Sequence, residues 1–63
     1  MYLKCVESNC PWFINNEIYD VHHDGFIQWV FDDEGDEWFI CENSNGKYQI
    51  SGLDDALFEE HNK

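Results

Sequence analysis

The sequence predicts a small, mostly-β barrel, and three observations carry that. The stretch Phe26–Cys41, FIQWVFDDEGDEWFIC, sets two aromatic and β-branched runs on either side of an acidic turn, which is the signature of a β-hairpin. Tyr2–Val6 and Glu17–His22 alternate apolar with polar residues, the period of a half-buried strand. Polar or glycine-containing breaks at Asn15-Asn16, Asp24-Gly25, Glu42–Gly46 and Ser51-Gly52 separate the runs, as turns do.

Each element follows from its residues. Tyr2–Val6 is the first strand, with Leu3 and Cys5 inward. Glu7–Pro11 is a polar loop, and its proline biases Cys10 toward extended backbone. Trp12-Phe13-Ile14 is an apolar patch in that loop. Asn15-Asn16 is a turn pair, because asparagine tolerates left-handed backbone. Glu17–His22 is the second strand, with Tyr19 and Val21 inward. In the central hairpin, a two-residue turn at Glu34-Gly35 would set Phe31 opposite Trp38, Val30 opposite Phe39 and Trp29 opposite Ile40. Both faces of that ribbon are largely apolar, so further strands are expected to wrap it. Lys47–Ile50 is a short strand. In the tail, Leu53, Leu57 and Phe58 recur at helical spacing after a possible Ser51 cap. The expectation there is a short helical turn over Leu53–Ala56 and a closing strand over Leu57–Glu60.

A chain of 63 residues makes one domain, residues 1–63. A chain this short buries only about 60% of the surface its unfolded form exposes. Its three Trp, three Tyr and five Phe supply a core, since each buries on the order of 150–250 Å². No room is left for an enclosed active site with supporting residues. Cys5, Cys10 and Cys41 are odd in number, which argues against a secreted disulfide framework. They are expected to be thiols in a reducing cytoplasm. No run reaches the ~18 apolar residues of a membrane span, so no membrane partner is expected.

Fourteen carboxylates oppose three lysines and no arginine, for a net charge of −11. Such a surface repels nucleic acid and anionic lipid and attracts basic proteins. The plainer reading is that acidity keeps an aromatic-rich protein in solution. That reading is strained by the size of the charge, since roughly 2–8 units suffice for a small domain.

Zinc favours close pairs of the Cys-x2–4-Cys type. Here Cys5 and Cys10 form the nearest pair, His22 and His23 would point to opposite faces of a strand, and core thiols beside loop histidines explain the same residues. A zinc-stabilised module is therefore the third reading, with no metal ligand assigned. The run Asp32–Glu37 is dense in oxygen but lacks the ligand spacing of an EF-hand loop. Carboxylates in turns are solvated and ordinary, whereas general acid–base work needs a perturbed group in a cleft. No catalytic residue and no cofactor are expected; the protein reads as a non-enzyme.

The acidic array is the remaining candidate site: Asp32, Asp33, Glu34, Asp36 and Glu37 on the hairpin, with Asp54, Asp55, Glu59 and Glu60 in the tail. If tip and tail share a face, they form a negative stripe able to stand in for phosphates in a basic cleft. Trp12 and Phe13, beside Pro11, are candidate aromatic anchors, since Trp is favoured at binding hot spots. The alternative for Trp12 is that it plugs the barrel end.

The order of elements resembles the small SH3-like barrels found among phage-encoded accessory proteins. The matching pieces are Lys4-Cys5-Val6, the stretch Phe13–Val21, the acidic turn Asp32–Glu37 and the closing Leu57–Glu60, which together run along nearly the whole chain. The chain departs from the family at Asn16-Glu17, where glycine and lysine are usual. The resemblance implies a five-stranded barrel in the cytoplasm of a bacterial host and carries no catalytic residues. It also implies an acidic accessory protein that inhibits a host nucleic-acid-binding or defence protein by mimicking nucleic acid, without binding nucleic acid itself. The second reading is a small structural or regulatory interaction module. A monomer and a homodimer both fit the sequence.

Overall fold

Seven antiparallel strands form one sheet that curls into a nearly closed barrel. The computed structural model describes residues 1–62, with backbone alone for Leu53 and Asp54. The strands are β1 (Tyr2–Ser8), β2 (Ile18–Asp20), β3 (His22–Asp24), β4 (Ile27–Phe31), β5 (Glu37–Glu42), β6 (Tyr48–Ile50) and β7 (Leu53–His61). Their order across the sheet is β2-β1-β7-β6-β5-β4-β3. The two ends of that order, β2 and β3, are joined in sequence through Val21 alone. One bent segment therefore pairs with β1 at one end of the sheet and with β4 at the other. Val21 is buried at the bend, and its N–H donates to the Met1 carbonyl at 2.9 Å.

Mostly-β holds, but five strands and a helical turn do not. The segment expected as one second strand divides at the Val21 bend. The tail is one continuous strand from Leu53 to His61. Its helical spacing yields to ladders on both edges: Ser8↔Ala56 and Cys5↔Phe58 with β1, and Gln49↔Leu57 with β6. Ala56 and Phe58 point inward and are buried, so the period that matters is two.

The core is Leu3, Cys5, Phe13, Tyr19, Val21, Val30, Ile40, Ile50, Ala56 and Phe58. Leu3, Cys5, Tyr19 and Val21 face inward as expected. At its centre, Phe13 meets Tyr19 and Phe58 edge-on, with ring centroids 5.2 Å apart in both cases. Edge-to-face packing of this kind suits the ring quadrupoles.

The central hairpin is slipped by one residue from the expected register. Its rungs are Trp29↔Phe39, Val30↔Trp38 and Phe31↔Glu37. Asp32 N–H donates to the Asp36 carbonyl at 2.9 Å, and Gly35 N–H to the Asp32 carbonyl at 3.1 Å. With Gly35 at φ +85°, this is a three-residue loop ending in a left-handed bulge residue. A slip of one residue exchanges faces. Val30, Asp32 and Ile40 are buried, while Phe31 and Phe39 are exposed.

Asn16 adopts φ +74° in the turn closed by Glu17 N–H to the Ile14 carbonyl at 3.1 Å, as its residue type predicts. Asn16→Val is expected to cost about 1–2 kcal/mol, because a branched Cβ is strained there, whereas Asn16→Gly should be neutral or stabilising. Urea unfolding of the two variants checks this; equal loss in both would show that the backbone conformation is not what matters at this turn.

Candidate functional site

The hairpin tip is a pinned structure, and its first acid lies inside it. Asp32 is buried, and its carboxylate accepts three hydrogen bonds: from Trp38 Nε1 at 2.7 Å, Glu34 N–H at 2.9 Å and Asp36 N–H at 2.8 Å. Burial pushes its carboxyl up, but the bonds from Trp38, Asp36 and Glu34, with the Gly35 N–H nearby, together outweigh that and hold it below the ordinary aspartate value. Asp32 therefore belongs to the turn, not to a partner-binding surface.

Asp33, Glu34, Asp36 and Glu37 are exposed around this turn. Asp33 N–H donates to the Trp12 carbonyl at 3.4 Å, and its carboxylate accepts from the Tyr19 hydroxyl at 3.4 Å. The same hydroxyl accepts from Ile14 N–H at 3.0 Å. Burial, and then the Asp33 charge, push the Tyr19 phenol up against the lowering by Ile14. These links fix the tip to the Trp12 loop.

The two aromatic anchors are absorbed by the fold. Phe13 is 2% exposed and sits in the core, so it is not a surface anchor. Trp12 is half-buried on Trp38, with centroids 5.4 Å apart. Of the two expectations for Trp12, the plug is the one that matches this packing. The small core recruits the largest rings within reach.

The tail acids are strung out along β7. Asp55 is exposed, and its carbonyl accepts from Asn9 N–H at 2.8 Å, beyond the Ser8↔Ala56 rung. Glu59 and Glu60 lie further along β7, opposite Lys4 and Leu3. Glu59 pairs with Lys47 at 2.9 Å, and that bond and charge hold its carboxyl low. Glu60 and Glu42 gather near Tyr48, whose phenol is pushed up by burial and then by those two charges. The Asp54 side chain lies outside the described residues.

The thiols are free, with Cys5 buried, Cys10 half-buried and Cys41 exposed. Burial pushes the Cys5 thiol up, the opposite of what nucleophilic thiols need. Among the described residues no three His, Cys, Asp or Glu side chains gather to hold a metal. Among them, too, no helix is long and apolar enough to cross a membrane.

What sequence reasoning missed is the outer face of β3–β4–β5. The other strands wrap only one side of the hairpin. Ile27, Phe31 and Phe39 remain exposed, with Phe26 at the β3–β4 turn fully so. Trp29, half-exposed, shares this face: His22 stacks on it at 6.1 Å and 19° and meets Phe31 edge-on at 5.2 Å. The signal was present in the two-sided apolar pattern of Phe26–Phe31, which one core cannot consume. Exposed apolar patches of this kind mark interaction surfaces. Compared with protein-family models, curated proteins and solved structures, the chain matches none.

Proposed function

We propose that this chain is a non-enzymatic binding protein that occupies the basic surface of another protein, one shaped to hold nucleic acid, and thereby inhibits it. The observation that supports this best is the placement of charge. No lysine or arginine occurs between Cys5 and Gly46. Of the described lysines, Lys47 is paired with Glu59, and Lys4 lies opposite it across the β1–β7 ladder. Asp33, Glu34, Asp36 and Glu37 stand uncompensated on a tip held by backbone and side-chain bonds. A fixed carboxylate cluster suits a groove adapted to the phosphates of a duplex, which carries one charge per ~1.7 Å of axis. It also steers association, an effect that fades as salt screens it.

The resemblance to phage accessory barrels supports a host nucleic-acid-binding or defence protein as the partner, met in the bacterial cytoplasm. Kinship with SH3-like barrels is part of the same proposal, and the bent segment that closes the sheet supports it. A second reading, a docking module whose affinity rests on apolar contact, is favoured by the exposed aromatic face of β3–β4–β5.

The test is capture of a partner from nuclease-treated bacterial lysate, followed by competition between this chain and duplex DNA or RNA for the purified partner. The expected result is a nucleic-acid-binding protein released by salt and displaced by nucleic acid. Neutralising the tip with Asp33→Asn, Glu34→Gln and Asp36→Asn together should weaken binding about tenfold or more at low salt, roughly 1.4 kcal/mol or more, with the fold intact. Affinity unchanged by those substitutions, or indifferent to salt, would count against mimicry and favour the second reading.

A further inference from the structure

The β4–β5 ladder stops at Trp29↔Phe39, although β4 begins two residues earlier at Ile27 and β5 runs on to Glu42. Beyond that rung the two strands follow different neighbours. Gln28 and Ile27 pair with His23 and Asp24 of β3, while Ile40 and Cys41 pair with Ile50 and Gln49 of β6. The sheet forks, and a groove of about 330 Å³ opens there, lined by Phe26, Ile27, Gln28, Phe39, Ile40 and Ser51. That volume is at the small end of the roughly 300–1,000 Å³ of ligand pockets. Apolar side chains stand at its mouth in water: Phe26 is 106% exposed, Ile27 54% and Phe39 51%.

The surroundings select the occupant. Asp24 stands opposite Ile27 at one end of the aromatic face, and Glu37 stands opposite Phe31 at the other. No lysine or arginine lies on β2 to β5. A second copy of this chain would bring a like charge of −11 onto the same carboxylates, which opposes self-association. A cationic chain gains there instead, because Lys and Arg are attracted both to carboxylates and to aromatic faces such as Trp29.

We propose that the fork between β4 and β5 docks a Lys- and Arg-rich segment of the partner protein, seating one bulky apolar side chain in the groove and laying a flanking cation on the outer aromatic face. This rests on the basic-partner reading above and adds where the partner's chain is held. His22, stacked on Trp29 and edge-on to Phe31, holds those two rings in the orientation the cation meets.

The test uses the whole protein and three synthetic peptides: one rich in Lys and Arg with a single central leucine, the same peptide with alanine in its place, and an acidic peptide with the leucine. Amide chemical shifts and affinity are read together. The expected result is that the leucine-bearing cationic peptide shifts the amides of Gln28, Phe39, Ile40 and Ser51. The alanine version should bind about tenfold more weakly, as loss of a buried Leu side chain implies, and the acidic one not at all. Ile27→Ser and Phe39→Ser alter exposed side chains, so both should keep the native spectrum and lose the leucine preference. Cationic binding that maps to the hairpin tip, or ignores both substitutions, overturns the fork while leaving the basic-partner reading intact. Failure of both cationic peptides to bind, or preference for the acidic one, overturns the two together. A dimer in sedimentation that buries these same residues would show a second copy as the occupant and overturn the proposal.

Discussion

Phe58→Ala is expected to leave the chain largely unfolded at room temperature. Phe58 is completely buried on β7, the strand paired with both β1 and β6, opposite Cys5 on one side and Tyr48 on the other. Its ring meets Phe13 at 5.2 Å and Tyr19 at 6.0 Å, both nearly perpendicular. Truncating a buried Phe costs about 3–5 kcal/mol through lost transfer energy and the cavity left behind. At roughly 0.05–0.15 kcal/mol per residue, a domain of this size has about 3–9 kcal/mol in total. Phe58→Leu refills part of the space and should cost about 1–2 kcal/mol. Phe26→Ala, at a fully exposed ring, should change stability by less than about 0.5 kcal/mol. Urea unfolding followed by tryptophan fluorescence ranks the three. A Phe58→Ala protein with the parental midpoint would remove this ring from the core.

The second large effect is expected at Asp32. Asp32→Ala removes one acceptor from three donors, including the Trp38 indole N–H. Hydrogen bonds to a charged group are worth about 1.5–3 kcal/mol, and donors left unpaired in the interior add to the loss. An overall cost of about 2–4 kcal/mol follows, enough to lower the melting temperature by roughly 10–20 °C in a domain this small. Asp32→Asn should be milder, because one amide oxygen still serves the backbone donors of the loop. The sign with pH is fixed by the lowered carboxyl. Stability from a carboxylate favoured in the folded state is present in full above the unfolded pKa, near 3.9, and is lost as pH falls through the folded value. The parent should therefore lose stability more steeply than Asp32→Asn below about pH 4. Parallel stability profiles would mean the charge on Asp32 contributes nothing to folding.

The strand pattern was legible because alternation alone sets which side of β1 and β2 faces inward; Leu3, Cys5, Tyr19 and Val21 needed no tertiary information. The hairpin register was not legible from Gly35 alone. It depends on Asp32 as well, whose carboxylate caps the turn and selects the longer loop. The same arrangement occurs at Asn43–Lys47. There Asn43 N–H donates to the Lys47 carbonyl at 2.7 Å, and Asn43 Oδ1 accepts from Asn45 N–H at 2.9 Å and Lys47 N–H at 3.0 Å, with Gly46 at φ +77°. An Asp or Asn three residues before a glycine, between two apolar runs, is thus a register signal in this chain. The tail misled because Leu53, Leu57 and Phe58 satisfy a helical period, whereas the inward pair is Ala56 and Phe58; what decides is the gap between β1 and β6, which only a strand fills. Of the site residues, the exposed acids of the tip were readable from the sequence. The burial of Phe13 and Asp32 was not: Phe13 depends on contacts across the barrel with Tyr19 and Phe58, and Asp32 on the hairpin register that brings Trp38 to its carboxylate.

The strands at the two ends of the sheet order, β2 and β3, are also among the shortest in the molecule, three residues each, and they belong to one bent segment. Open sheet edges are templates for adding foreign strands and for fibril growth, and short or twisted edges blunt that hazard. This chain keeps a broad aromatic face in water while offering very little edge backbone on which another strand could align. A partner of the kind proposed would thereby meet side chains on a preformed surface, and the exposed aromatic face comes without the long edge that would let copies of the chain zip together.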